Sequence, residues 1–319
     1  MKKEDIREIK LEYVDKINIP KVPFGIEIEF AGASFEKVKT DIKKLFGYPI
    51  EEQDNKVNKY DKWKVVKEAT VQKHISFTNI EGGEINTPIL HNTKQYWEDL
   101  KRVCTLLKNE KNIRINLDCS VHIHTDKSIY TTLKELTNLV KLWIVYEPII
   151  YRFGFGDIKT KRNMLDKFAK PYVGNENIKQ LVEKINHVET IEELMQATRY
   201  DRKNGLNLVN IIRDDKTTIE TRVYNPTLNE EIIQNYTRFN QNFLNYAKTE
   251  NFDEEFINYK LDNYQEIYID NQLKEDFNQA KELMELIIKN EIDRLKLLRQ
   301  YLTFEDDEIE KTARLWYHQ

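Results

Sequence analysis

Residues 21–30 read KVPFGIEIEF, and the kind of sheet this chain builds can be read from them. After Pro20 and Pro23, apolar and acidic residues alternate, the period of a half-buried strand. Ile26, Ile28 and Phe30 take one face, and Glu27 and Glu29 the other. Two carboxylates side by side are tolerable in water. In a cleft they are costly unless a cation neutralises them. A solvated strand face is the plain alternative.

Working outward, further strands are expected at WKVVKEATV (63–71), HISFTNI (74–80, ending at Gly82-Gly83), RINLDCSVHIHTD (114–126), LNLVNII (206–212) and TTIETRVYN (217–225). Helical periodicity covers Ser34–Phe46, residues 92–110 and 129–151, and much of Gly154–Lys203 around a loop at Lys170–Asn177. From Asn229 onward the pattern is helical, with Phe277, Leu283, Ile287 and Leu298 at roughly helical spacing. Strands scattered among long helical insertions fit a doubly wound sheet poorly. They predict an α+β fold around an antiparallel sheet, with a core over 1–230 and a helical region over 231–319 packed on it.

The composition narrows the function. A net charge of −4, from 50 basic and 54 acidic residues among 319, argues against general nucleic-acid binding. No apolar run reaches bilayer length, and the N-terminus, MKKEDIREIKLEYVDK, lacks the apolar stretch of a signal peptide. Cys104 and Cys119 are too few for a disulfide framework. A cytoplasmic protein without a membrane partner is the expectation.

Three more strand positions carry chemistry. His122 and His124 share a face opposite Val121 and Ile123; His-x-His can bind a divalent metal or contact phosphate, or simply lie on an exposed edge strand. Glu220 and Arg222 form a same-face pair, either a surface ion pair of little worth or a metal ligand beside a cation for a migrating phosphoryl group. Glu84, in EGGEINTP, follows glycines that allow close backbone approach. Four carboxylates, two histidines and an arginine suit Mg²⁺ or Mn²⁺ better than Zn²⁺. No GxxxxGK[ST] or GxGxxG occurs, so any nucleotide must be held by metals and basic side chains.

In order, GIEIEF, WKVVKEATV, GGEINTP, CSVHIHTD, RKNGLNL and TIETRVYNPTL resemble the putative amidoligase family over residues 21–230. That family is similar to glutamine synthetase and γ-glutamylcysteine synthetase. The resemblance implies a curved antiparallel sheet forming a funnel-shaped site for ATP, Mg²⁺ (or Mn²⁺), a carboxylate and an amine, joined through an acyl phosphate. It implies metal ligation by Glu27, Glu29, Glu84, His122 and Glu220, and catalysis by Arg222, Glu220 and Glu84. It places His124 near the nucleotide, Arg162 and Arg202 at basic substrate or phosphate positions, and Asn207 in substrate or nucleotide contact. Two departures stand out. Glu68 and Thr70 occupy an expected Asp-x-Ser, and Cys119-Ser120-Val121 stands where a glycine is expected before His122. Two other readings are a metal-dependent hydrolase using His122 and His124, and a non-catalytic protein retaining the fold. The two substrates and the oligomeric state are not legible.

Overall fold

The computed structural model describes residues 2–47, 61–68, 71, 82–110, 117–157, 165–172, 177–199, 201–213, 217–264 and 275–303. Among them, β1 (Phe24–Ala31), β2 (Lys64–Val66), β3 (Gly82–Asn86), β4 (Val121–Asp126), β5 (Leu206–Asn207) and β6 (Thr218–Tyr224) form one open sheet, in the order β2-β3-β1-β4-β6-β5. Every pairing is antiparallel, as the scattered strands predict. The stretch containing GIEIEF is thus an internal strand between β3 and β4.

The helices before β6 are α1 (Lys3–Arg7), α2 (Phe35–Phe46), α3 (Lys94–Asn109), α4 (Leu133–Phe153), α5 (Leu165–Phe168), α6 (Ile178–Asn186) and α7 (Ile191–Ala197). After β6 come α8 (Glu230–Tyr246), α9 (Glu254–Asp262), α10 (Phe277–Ile287) and α11 (Glu291–Tyr301). The longest, α4, starts at a capping box. Thr132 Oγ1 accepts from Glu135 N at 3.2 Å, and a Glu135 carboxylate oxygen accepts from Thr132 N at 2.9 Å.

The apolar side of the sheet is covered by α4, which packs on β6, and α8, which packs on β4. Ile26, Ile28, Phe30, Ile85, Val121, Ile123 and Ile219 all point there and are buried. Each such side chain is worth roughly 1.5–3 kcal/mol when fully removed from water. Phe153 stacks on Phe239 at 4.6 Å between centroids, tying α4 to α8. The one polar group that β4 sends to this side, Thr125, accepts at Oγ1 from Asn240 at 3.1 Å and Gln241 at 2.7 Å, so burial leaves it satisfied. A single apolar cluster runs through residues on both sides of Glu230 and includes Leu283, Leu297 and Tyr301 of the last helices.

Several expected strands are shorter than their sequence pattern. LNLVNII pairs only at Leu206–Asn207, and Val209–Ile212 turns into a 3₁₀ helix. The cause is local: Asn207 Oδ1 accepts from Val209 N at 3.0 Å, a side-chain turn that competes with the ladder. Of WKVVKEATV, Lys64–Val66 is strand, while 69–70 lie outside the described residues. Among the described residues 117–126, Val121–Asp126 is strand after a turn at 117–118; residues 114–116 and all of HISFTNI (74–80) lie outside the described residues. So do 173–176 of the loop expected at 170–177. Among the described residues no helix is long and apolar enough to cross a membrane. Both cysteines are free and buried.

Candidate active site

Strand alternation places every second residue of β1, β3, β4 and β6 on the face away from α4 and α8, and the register then decides which of them meet. Glu27 of β1 stands opposite Asn86 of β3 and His122 of β4. Glu29 stands opposite Glu84. His124 stands opposite Glu220 of β6, which is also opposite Asn207 of β5. Residues far apart in sequence therefore form a continuous polar floor across five strands.

This floor is neither a solvated face nor an exposed edge. Glu29 is 5 % exposed, Glu84 7 %, Glu220 5 % and His122 3 %. β4 lies between β1 and β6, so His122 and His124 sit on an internal strand. Glycines make the tight approach possible at β3, where a Cβ at Gly83 would lie 2.7 Å from the Val66 carbonyl oxygen and 3.2 Å from the Phe30 ring.

A bulge adjusts the last strand. Ile123 pairs with Thr221 but Val121 pairs with Tyr224, so Arg222 and Val223 together face His122. Val223 and Tyr224 stay in the core, while Glu220 and Arg222 remain on the polar side as an ion pair. Arg222 Nε also donates to the Phe168 carbonyl at 3.0 Å, and its backbone N–H donates to Gly205 O at 2.9 Å. The guanidinium is thus anchored from β6 and α5, and the backbone of Arg222 from the turn before β5.

The histidines tie the carboxylates together. His122 Nδ1 is 3.1 Å from Glu27 and 3.5 Å from Glu220. His124 Nε2 is 3.0 Å from Glu27 and 3.9 Å from Glu220, and its Nδ1 is 3.2 Å from Thr218 Oγ1. Ser120 Oγ lies 2.7 Å from His122 Nε2.

The electrostatics divide the floor in two. On the β6 side, burial alone would raise the carboxyls. The His124 charge and hydrogen bonds from both histidines nevertheless hold Glu27 well below the usual carboxylate range. Glu220 is likewise held down against burial, mainly by Arg222. Burial would lower Arg222, yet Glu220, Glu27 and Glu29 raise it above its ordinary value. On the β3 side the balance is the reverse. Burial first, then the charges of Glu27, Glu29 and Glu68, push Glu84 well above the usual range, with only a hydrogen bond from Asn86 opposing them.

Two sets of donors come close enough to hold an ion: Glu27, His122 and Glu220, and Glu29, Glu84 and His122, each with ligand atoms within 4.8 Å of one another. Paired, carboxylate-rich clusters of this kind suit hard divalent cations.

A family model described as a putative amidoligase enzyme matches residues 20–244. The chain belongs to this amidoligase family. No curated protein matches it. The family match spans all six strands of the sheet and ends inside α8.

Of the positions that the amidoligase resemblance implies, the fold gathers Glu27, Glu29, Glu84, His122, His124, Glu220, Arg222 and Asn207. Asn207 Nδ2 donates to Glu220 at 2.7 Å. Glu68, just past β2, is close enough to act on Glu84. Arg202 stands exposed on the turn before β5. Arg162 lies outside the described residues. The fold also recruits groups that the motif reading passed over: Ser120, Thr218, Asn86 and the Phe168 carbonyl. The first three continue the same period of two, in Ser120-x-His122-x-His124, Thr218-x-Glu220-x-Arg222 and Glu84-x-Asn86, and strand alternation would have found them. A backbone carbonyl on α5 leaves no such trace.

Proposed function

We propose that this amidoligase is an ATP-dependent carboxylate–amine ligase that works through an acyl phosphate, its polar floor being one wall of a funnel-shaped site. The observation that carries the reading is the pair of carboxylate clusters meeting at His122 with the anchored Arg222 beside them. The donor set fits Mg²⁺ or Mn²⁺: four carboxylates face two histidines and one arginine, and burial together with the neighbouring carboxylate charges pushes Glu84 up. Glu27, His122 and Glu220 would hold one ion, and Glu29 and Glu84 another. When bound, the ions supply charge neutralisation at the β- and γ-phosphates of ATP.

The chain's own residues then have separable roles. Arg222, fixed by Phe168 and Glu220, offers a stationary cation for the equatorial oxygens of the phosphoryl group in flight. A substrate carboxylate oxygen attacks the γ-phosphorus, and ADP leaves. The amine nitrogen then attacks the acyl carbon, loses its proton and expels phosphate, leaving an amide. His124 and Asn207, farther along the floor, are assigned to nucleotide or substrate contact. Burial of Glu29, Glu84 and Glu220 supports a water-poor floor, which the acyl phosphate needs to escape hydrolysis. Small-molecule or peptide carboxylates and amines are the substrate class.

The test is calorimetric titration of ATP into the protein with Mg²⁺ and then with EDTA. Micromolar binding that needs Mg²⁺ and disappears in a Glu27→Ala/Glu29→Ala double variant is the expected result. No binding under either condition would remove the ligase reading in favour of a metal-dependent hydrolase or a non-catalytic protein.

A further inference from the structure

His122 belongs to both candidate cation clusters, yet its two ring nitrogens face different surroundings. Nδ1 looks toward Glu27 and Glu220, at 3.1 and 3.5 Å. Nε2 is 2.7 Å from Ser120 Oγ, and Ser120 is 1 % exposed. Nor is Ser120 loosely placed, since its carbonyl accepts from Glu29 N at 3.0 Å, locking the residue to β1 next to the second cluster. Ser120 stands just before β4 and two residues from His122, so alternation carries its side chain to the same side as the ring.

We propose that Ser120 is a positioning residue that orients His122 so that Nδ1 serves the Glu27–Glu220 cation and Nε2 is withheld from the Glu29–Glu84 cation. This inference rests on the two-cation reading above. A neutral imidazole that binds a metal through one nitrogen carries its proton on the other, and that proton needs an acceptor. With Nδ1 on the metal, Nε2–H donates to Ser120 Oγ, which is buried and within reach. The two cation sites are then chemically unequal. The Glu27–His122–Glu220 site mixes nitrogen with oxygen and accepts softer ions such as Zn²⁺ or Mn²⁺. The Glu29–Glu84 site takes its protein ligands from oxygen alone and favours Mg²⁺. The sequence departs from the family pattern at this point: a glycine has no side-chain oxygen to offer, whereas Cys119-Ser120-Val121 supplies one.

The experiment uses the full chain with ¹⁵N-labelled histidine, titrated with Zn²⁺ as a diamagnetic, nitrogen-seeking probe. Long-range ¹H–¹⁵N correlation reads which His122 nitrogen shifts on binding, and calorimetry reads affinity for Zn²⁺ and, separately, Mg²⁺. In the wild type the first equivalent of Zn²⁺ should shift Nδ1 and leave the proton on Nε2. In Ser120→Ala, with unchanged circular dichroism, affinity for the first Zn²⁺ should fall about 10- to 100-fold. The single-nitrogen signature should be lost, while Mg²⁺ affinity changes less than about threefold. Zn²⁺ on Nε2 in the wild type would overturn the proposal, and that measurement does not depend on the variant folding. Equal Zn²⁺ affinity and an unchanged Nδ1 signature in Ser120→Ala would overturn it as well. No Zn²⁺ or Mg²⁺ binding by the wild type would instead overturn the two-cation reading beneath it.

Discussion

The two faces of β1, β4 and β6 are built from alternate residues of the same three strands, and opposite demands act on them. On the helix side, Ile28, Ile123 and Ile219 lose water to α4 and α8, and every contact stabilises the fold. On the other side, Glu27 and Glu220 are held charged by the histidines and Arg222, but Glu84 is removed from water among the charges of Glu27, Glu29 and Glu68, and the fold carries that cost. One face thus maintains the geometry that the other strains against. On the proposed reading, a carboxylate cluster held this way is pre-organised for cations, because little rearrangement is needed when they bind.

The largest effect should come from the polar face and should touch chemistry alone. Arg222→Lys keeps the positive charge but loses the planar fork that binds Glu220 and the Phe168 carbonyl. Turnover, followed as ADP release, should drop roughly a thousandfold with ATP binding largely retained. Unchanged turnover would remove Arg222 from its assigned role. The apolar face should answer in stability instead. Phe30→Ala empties a fully buried site beside Gly83 and should cost about 3–5 kcal/mol in urea unfolding. A loss below about 1 kcal/mol would mean that this side is not close-packed.

The smallest effect joins the two faces. The folded protein raises Glu84 above its ordinary 4.5, so folding favours the protonated form. The stability that this proton brings is complete below pH 4.5 and is lost as pH climbs through the raised value. Without divalent cations, Glu84→Gln should therefore melt increasingly above the wild type as pH rises through that window. Added Mg²⁺ should shrink or reverse the difference, because binding requires the carboxylate. Parallel melting curves for the two proteins at all pH values would show that the carboxylate surplus is relieved elsewhere.

How much of this was legible beforehand depended on the range of the cause. Glu27 and Glu29 on one strand face followed from alternation, and so did His122 with His124 and Glu220 with Arg222, because a period of two is local. The antiparallel arrangement followed from strands interrupted by helical stretches. LNLVNII misled because its apolar pattern says nothing of the Asn207 side chain capturing Val209 N. Ser120, Thr218 and Asn86 obeyed the same alternation and were missed because hydroxyl and amide groups on a strand look ordinary until a partner is known.

The chain by itself determined which side chains share a face, since the backbone of a strand leaves no other choice. Its ordered motifs also pointed to the amidoligase family. Only the tertiary structure decided that Glu29 meets Glu84, that His122 lies between two carboxylate clusters, and that Arg222 is anchored from α5. Those pairings depend on strand order, register and one bulge, which are set by the summed packing of the helices on the far side of the sheet. No local run of residues encodes such a sum.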